Sequence, residues 1–237
     1  MKAEQPKRKE VLKSFLEKFD ISTLNPMQTE ARKAIYAGND VAVLSPTGSG
    51  KTLAFLLPII ERLDPNLSEV QALVLVPSRE LAMQIEQVAR KLGSGFKINA
   101  VYGGRSGALD KADLKHRPAL LIGTPGRIAD RFRRDDIDLT RIKTLVLDEF
   151  DKSLEVGFER EMSEIVRSLG AVEQRVLTSA TDAVAIPKFL GLNDPLTIDY
   201  LNQHRPQLQV KPIAAPAGKQ LDTLSSARDA LKCTPGT

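Results

Sequence analysis

The sequence predicts an α/β domain in which a mostly parallel, twisted β-sheet is covered by helices on both faces. Three observations predict it: short continuous apolar runs, helical patterns between most of them, and polar or glycine-rich residues directly after most of the runs. Continuous apolar strands that alternate with helices are typical of a parallel sheet buried on both faces. Ligands of such sheets bind at the carboxyl ends of the strands. The runs interpreted as strands are 41–44, 72–76, 98–102, 119–122, 143–147, 175–178 and 196–198.

The length and composition are those of a globular protein. The 237 residues allow one sizeable hydrophobic core, or one core and a fragment of a second. No apolar run is long enough to cross a bilayer, and the best candidate, 53–60, ends at Glu61. The charged N-terminal segment is not followed by an apolar segment of signal-peptide type, which predicts a cytoplasmic protein. Having only one cysteine, Cys233, excludes an internal disulfide framework and a cysteine zinc site.

The net charge of +4 permits a polyanionic partner but does not require one. Two basic clusters are present, at 7–9 in the N-terminal segment and at Arg131, Arg133 and Arg134. We interpret them as a solvated tail and a solvated face.

The chain is predicted to open with an amphipathic helix, because Val11 to Phe19 carry apolar side chains at helical spacing. The tail and this helix make up residues 1–25. A second helix is predicted after Asn25, which is a typical cap, with a proline at the first helical position. Gln28 then lies in its first turn, and Gly38 is placed to end it.

Residues 45–52, with the sequence SPTGSGKT, predict a phosphate-binding loop between a strand and a helix. The backbone N–H groups of such a loop and the N-terminus of the helix face an anion. The residues expected to hold a nucleotide are Thr47, Gly48, Ser49, Gly50, Lys51 and Thr52. Lys51 supplies a cation for the outer phosphates and is a catalytic candidate, and the Thr52 hydroxyl is a candidate magnesium ligand. Ser45 stands where the general pattern has glycine.

Two acids, Asp148 and Glu149, directly follow the strand at 143–147. We expect Asp148 to hold magnesium beside the loop, and Glu149 to orient or deprotonate the attacking water in phosphoryl transfer.

Two hydroxyl residues, Ser179 and Thr181, follow the strand at 175–178. They could hydrogen-bond the acids and sense the γ-phosphate, or they could cap a following helix. The residues alone leave these alternatives open.

Three other strand ends, at 77–80, 103–105 and 124–127, carry glycines, hydroxyls or arginines. Such groups hold a sugar-phosphate backbone without reading bases.

These stretches, taken in order over about residues 11–200, resemble the DEAD-box RNA helicases, specifically their first RecA-like domain. The matching residues are Gln28 for the Q motif, 45–52 for motif I, 77–82 for motif Ia, Gly103 and Gly104, 124–127 for motif Ib, 148–151 for motif II and 179–181 for motif III. The resemblance implies a RecA-like P-loop fold, ATP and Mg²⁺ as cofactors, and RNA bound through its backbone.

The resemblance also implies residue roles. Gln28 would read the adenine edge. RNA would contact Pro77, Arg79, Gly103, Gly104, Thr124, Gly126 and Arg127. Ser179, Thr181 and Asp151 would couple the ATP site to RNA.

The chain departs from the family pattern at three positions. Phe150 replaces the alanine of motif II, and Ser78 replaces a threonine in motif Ia. Ile21 replaces the aromatic residue that stacks on adenine, which predicts weaker nucleotide binding.

The resemblance places a RecA-like domain at 26–203, followed at 204–237 by a linker and the start of a truncated second domain. Unwinding would then need a second RecA-like domain, and the protein is expected to be a monomer with no membrane association. One alternative is a nucleotide-gated module that binds RNA or a partner without turnover. Another is a DNA helicase or protein-translocating motor, although Gln28 and the SAT triplet favour RNA.

Overall fold

The structure is a computed structural model that describes residues 5–182, 185–192 and 194–202. These residues form a seven-stranded sheet in which every pair is parallel. The strand order is β3-β4-β2-β5-β6-β1-β7. The strands are β1 (Val41–Leu44), β2 (Ala72–Leu75), β3 (Ile98–Val101), β4 (Leu120–Gly123), β5 (Thr144–Leu147), β6 (Gln174–Ser179) and β7 (Leu196–Asp199). All seven predicted strands are confirmed, with ends shifted by at most two residues.

Helices connect most of the strands. They are α1 (Gln5–Glu17), α2 (Pro26–Tyr36), α3 (Lys51–Arg62), α4 (Arg79–Leu92), α5 (Gly107–Leu114), α6 (Pro125–Arg133), α7 (Phe150–Glu155) and α8 (Glu159–Ser168), with a 3-10 turn at Lys188–Leu190. None of the helices in the described part of the chain is long and apolar enough to cross a membrane. The proposed linker and second-domain start at 204–237 lie outside the described residues.

Hydrophobic clusters cover both faces of the sheet. One face packs against apolar residues of α2, α3 and α4, including Ile35, Phe55 and Ile85. The other face packs against α5 to α8, including Ile128 and Ile165. Side chains alternate between faces along each strand, so a strand buried on both sides is apolar throughout. This explains the continuous apolar runs in the sequence.

The first helix ends earlier than predicted. Helix α1 stops at Glu17, so Phe19 lies beyond it rather than on its apolar stripe. The backbone N–H of Ile21 donates to the carbonyl of Leu16, and Asp20 has a φ of 56°. A left-handed residue followed by this hydrogen bond is a Schellman end, a role usually taken by glycine. The motif turns the chain and packs Ile21 against the core.

The second helix begins as predicted. The side chain of Asn25 accepts a hydrogen bond from the backbone N–H of Gln28 at 2.8 Å. The side-chain oxygen of Gln28 accepts one from the backbone N–H of Asn25 at 3.0 Å, which completes a capping box. Gly38 follows the helix with a φ of 88°. Gln28 is therefore fixed in the first turn of α2 through both its backbone N–H and its side-chain oxygen.

Candidate functional site

The candidate residues divide the carboxyl edge of the sheet into two neighbouring halves. The nucleotide candidates follow β1, β5 and β6, which are adjacent in the order β5-β6-β1. The RNA candidates follow β2, β3 and β4, which are adjacent in the order β3-β4-β2. The halves meet where β2 pairs with β5. A change in one half can therefore reach the other through a single pair of strands.

The loop at 45–52 runs from β1 into α3. Gly48 and Gly50 have φ values of 81° and 88°, a region in which glycine is favoured. The backbone N–H of Ser45 donates to the carbonyl of Ser179 at 3.0 Å, which joins the start of the loop to the end of β6. Thus Ser45, although it departs from the glycine of the general pattern, begins a loop of the predicted strand-to-helix type.

The ammonium of Lys51 lies inside this loop. Its Nζ donates to the backbone oxygens of Ser45 at 2.5 Å and Pro46 at 3.0 Å. Burial lowers the pKa of Lys51, while the charges of Asp148, Glu149 and Asp151 oppose that shift. A cation held only by carbonyl oxygens can exchange them for phosphate oxygens, which carry more negative charge.

Gln28 touches the loop from the side of α2. Its Nε2 donates to the carbonyl of Gly50 at 3.2 Å, and the side chain of Asn25 donates to the carbonyl of Ser49 at 3.0 Å. The loop is therefore held by the first turn of α2. Gln28 has its oxygen in the capping box and one amide hydrogen on the loop, which leaves the other amide hydrogen for a base edge.

The two acids follow β5 as predicted, with Asp148 fully buried at the strand end. Burial raises the pKa of Asp148 to about 6, although a hydrogen bond from Thr178 partly offsets that rise. The Thr178 hydroxyl donates to Asp148 Oδ1. Sequence reasoning did not single out Thr178, because its position inside a buried strand indicated packing alone.

Glu149 has a φ of 51°, an uncommon backbone conformation for a residue other than glycine. Its backbone N–H donates to Thr178 Oγ1 at 3.1 Å, and its carboxylate pairs with Lys152 Nζ at 2.8 Å. Strained backbone persists where neighbouring contacts determine it and is common at active sites. Here it turns the chain sharply from β5 into α7.

The hydroxyls at the end of β6 have separate partners. Thr181 Oγ1 donates to Asp151 Oδ2 at 3.2 Å. Ser179 Oγ instead donates to the carbonyl of Thr181 and accepts from its backbone N–H at 3.0 Å, which closes a local turn. One of the two hydroxyls thus contacts an acid, and Ser179 contacts none.

The residues present fit a nucleotide with Mg²⁺. Ser49 Oγ and Asp151 Oδ1 are buried without a hydrogen-bond partner in the described structure, as expected of groups awaiting a ligand. No cluster of three acidic, histidine or cysteine side chains that could hold a metal exists among the described residues. Mg²⁺ is typically bound by one or two carboxylates, phosphates and water, and the carboxylate of Asp148 at the end of β5 is a group of that kind.

The loop after β2 and the glycine pair after β3 lie together. The Arg79 guanidinium lies 3.6 Å from where a Cβ would stand at Gly104, whose φ is 85°. Arg79 is well exposed and pairs with Glu80 at 2.6 Å. Ser78 caps α4 by accepting from the backbone N–H of Leu81, so the serine keeps a hydroxyl role at this position. Thr124 begins α6 but makes no side-chain capping bond.

Arg127 lies at the same edge, yet its guanidinium is occupied. It donates to Asp110 Oδ2 at 2.7 Å and to the carbonyl of Arg105 at 2.7 Å, and only 17% of its side chain is exposed. Asp110 is completely buried, and Arg105 approaches its other oxygen at 3.8 Å. These contacts join the loop after β3 to the loop after β4. Asp110 was not singled out from the sequence. The pattern that could have pointed to it is an acid on the buried side of a short helix.

The arginines of the basic cluster at the end of α6 are paired with acids, and only Arg131 among them is buried. Arg131 contacts Asp130 and Asp136, while Arg133 pairs with Glu164 and Arg134 with Asp130. The structure thus contains no unpaired basic patch at this cluster.

Comparison with known proteins agrees with this geometry. A family model described as "DEAD/DEAH box helicase" matches residues 25–186. The ATP-dependent RNA helicase DbpA of Escherichia coli (strain K12) is 39% identical over 182 residues, which cover 75% of this chain and 40% of that protein. The ATP-dependent RNA helicase CshA of Limosilactobacillus reuteri is 38% identical over 178 residues, covering 73% and 36%. The chain thus spans about two fifths of the length of these relatives.

A solved structure confirms the predicted RecA-like fold. It is the crystal structure of a hypothetical ATP-dependent RNA helicase from Sulfolobus tokodaii. The two superpose with a TM-score of 0.71 at 26% identity, over 81% of this chain and 57% of that one.

Proposed function

This chain belongs to the DEAD/DEAH box helicase family, and from that membership we propose that it binds and hydrolyses ATP with Mg²⁺ and binds RNA, as part of an RNA-remodelling helicase. The observation that supports this most is that Lys51, after β1, and the acids Asp148 and Glu149, after β5, lie on either side of β6, close enough for the charges of the acids to oppose the fall in the pKa of Lys51. A P-loop cation, a buried carboxylate and a second acid are the groups that phosphoryl transfer needs.

ATP binding is assigned to the loop and to α2. Backbone groups of Thr47 to Gly50 and the N-terminus of α3 hold the phosphates, with Lys51 on the outer ones. Gln28 contacts the adenine edge through its remaining amide hydrogen. Ile21 lies shortly before α2 in the sequence and offers an apolar surface without an aromatic ring. Contact with Ile21 would therefore stabilise bound adenine less than stacking on a ring would.

Hydrolysis is assigned to the acids after β5. Thr52 and Asp148 are the residues that would hold Mg²⁺, which supplies charge neutralisation of the phosphates when bound. Glu149 orients the attacking water and accepts its proton. Lys152 contacts Oε2 of Glu149 in this structure, so Oε1 is the oxygen that would accept this proton.

RNA is assigned to the other half of the edge. Arg79 supplies a phosphate partner, and the backbone of Gly103, Gly104 and Gly126 allows close approach of the sugar-phosphate chain, beside Pro77 and the Thr124 hydroxyl. Arg127 contributes through the position of these loops, because its guanidinium is already bound. Thr181 and Asp151, which are hydrogen-bonded to each other, and Ser179 are the residues proposed to couple this half to the ATP site. The relatives DbpA and CshA are named ATP-dependent RNA helicases, which supports RNA as the partner.

Unwinding is proposed for the chain acting with a second RecA-like domain, on the opposite side of the ATP and RNA sites. A monomer in the cytoplasm is the proposed state. The alternative is a nucleotide-gated module without turnover, which the ion pair between Glu149 and Lys152 favours because it engages one oxygen of the proposed base.

The experiment that separates these functions is the Glu149→Gln substitution in the full chain. We expect the variant to bind a fluorescent ATP analogue as the parent does, while phosphate release in the presence of single-stranded RNA falls to background. Glu155→Gln, an exposed acid at the end of α7, is the control and should hydrolyse normally. If the parent releases no phosphate with RNA, this chain acts without turnover in the absence of a second RecA-like domain. If it also fails to bind the analogue, the family function is absent from this chain.

A further inference from the structure

The buried hydroxyl of Thr178 lies between the two acids of the proposed ATP site. Thr178 is the fifth residue of β6, where it pairs with Val43 of β1, and it is 1% exposed. On the other side of β6, the partner of Leu177 is Leu147, the residue just before Asp148. Thr178 thus stands beside the point at which the chain leaves β5.

The hydrogen bonds of this hydroxyl can be assigned completely. The backbone N–H of Glu149 can only donate, so Thr178 Oγ1 accepts that bond at 3.1 Å. The hydroxyl hydrogen then points to Asp148 Oδ1, the carboxylate oxygen beside it. A single side chain thereby fixes the carboxylate of one acid and the backbone of the next.

The other hydroxyls at this strand end cannot replace Thr178. Ser179 closes a turn with Thr181, and Thr181 contacts Asp151 rather than Asp148. The backbone at Glu149 has a positive φ, which needs support from neighbouring contacts to persist. The bond from the Glu149 N–H to Thr178 is such a contact.

We propose that Thr178 is a positioning residue that orients Asp148 toward the metal and holds Glu149 in the strained turn from which it faces the attacking water. This role rests on the proposed function of the site, since it concerns how its acids are held. It adds a link between β6 and the acids that is separate from the contact between Thr181 and Asp151.

The test uses Thr178→Val, which keeps the shape of the side chain and removes the hydroxyl, and Thr178→Ser, which restores the hydroxyl. Thr144→Val, at the opposite end of β5, is the matched control. If thermal melting shows that Thr178→Val does not fold, Thr178→Ala replaces it, with the same expected results. The first readout is amide hydrogen exchange of Glu149 by NMR in nucleotide-free protein. The second is the affinity for a fluorescent ATP analogue with Mg²⁺ and with EDTA.

We expect Thr178→Val to speed exchange of the Glu149 amide about tenfold or more, since a buried hydrogen bond is lost. In Thr178→Val, Mg²⁺ should also raise the affinity for the ATP analogue much less than it does in the parent, while the affinity in EDTA should be unchanged. Thr178→Ser and Thr144→Val should match the parent in both readouts.

The proposal is overturned if Thr178→Val exchanges the Glu149 amide as slowly as the parent, or if Mg²⁺ raises its affinity for the analogue as much as it does for the parent. It is also overturned if Thr178→Ser fails to restore parent-like values in the two readouts. If the parent itself binds no analogue, the proposed function fails and the positioning role of Thr178 in metal binding fails with it. The exchange result then still reports separately whether the hydroxyl holds Glu149.

Discussion

The side-chain amide of Gln28 donates to the backbone carbonyl of Gly50 at 3.2 Å, so the first turn of α2 is bound directly to the phosphate loop. The same amide group closes the capping box of α2 through Asn25. Contact with a nucleotide base at Gln28 would therefore be transmitted to the loop that holds the phosphates. Two predictions test the two sides of this contact.

The Gly50→Ala substitution should abolish nucleotide binding. A Cβ at Gly50 would collide with Gln28 Nε2, and the φ of 88° is itself unfavourable for alanine. Gly95→Ala is the control, because Gly95 has a φ of 82° with open space around it, away from the loop. Titration with a fluorescent ATP analogue should show binding by the control and none by Gly50→Ala. Equal affinities would mean that the contact with Gln28 is not needed.

The Gln28→Ala substitution should lower the free energy of unfolding by about 1–2 kcal/mol, since half of a capping box and one loop contact are lost. Urea unfolding without nucleotide measures this. Gln84→Ala, an exposed site on α4, should change stability by less than about 0.5 kcal/mol. A Gln28 variant as stable as the control would show that the amide contributes only to ligand binding.

The burial of Asp148 predicts a pH dependence of stability. Its pKa is raised from 3.8 to about 6 in the folded protein, so the folded state holds the proton more tightly than the unfolded state. Its contribution to stability therefore falls as pH rises from about 4 to 6, by up to about 3 kcal/mol.

Asp148→Asn should remove this dependence, so that its stability relative to the parent rises between pH 4 and pH 6.5. Urea unfolding at several pH values without divalent metal measures the difference. A constant difference across that range would contradict the raised pKa. Asp138→Asn is the control: the pKa of Asp138 is lowered from 3.8, so its contribution to stability changes below about pH 4, and the stability of this variant relative to the parent should stay constant between pH 4 and pH 6.5.

The buried carboxylate of Asp110 should matter for RNA but not for ATP. Asp110→Asn removes the charge that faces Arg127 and Arg105, so the loops after β3 and β4 lose their common anchor. We expect single-stranded RNA affinity to fall about tenfold, a loss of roughly 1.4 kcal/mol, with ATP affinity unchanged. Asp113→Asn, which removes a more exposed partner of Arg105, should have a smaller effect. Fluorescence anisotropy with labelled RNA decides between these outcomes.

The sequence predicted the fold well because its strands are buried on both sides and separated by helices. The positions of the candidate residues were predicted where local spacing determines them, as with the cap at Asn25 and the acids after β5. They were not predicted where residues distant in the sequence meet. Thr178 and Asp110 acquire their roles from neighbouring strands and helices, and Arg127 is occupied by a buried acid 17 residues away. The early end of α1 was missed because Asp20 takes a conformation usually left to glycine.

The central claim is that the loop around Lys51 binds ATP in this chain. The most direct measurement is an equilibrium titration of the full chain with a fluorescent ATP analogue and Mg²⁺, comparing the parent with Lys51→Ala. Lys143→Ala, an exposed lysine at the far end of β5, is the control. We predict that the parent and the control bind equally, whereas Lys51→Ala loses about tenfold or more in affinity because a charge-assisted contact to phosphate is removed. Equal binding by Lys51→Ala, or no binding by the parent, would contradict the account.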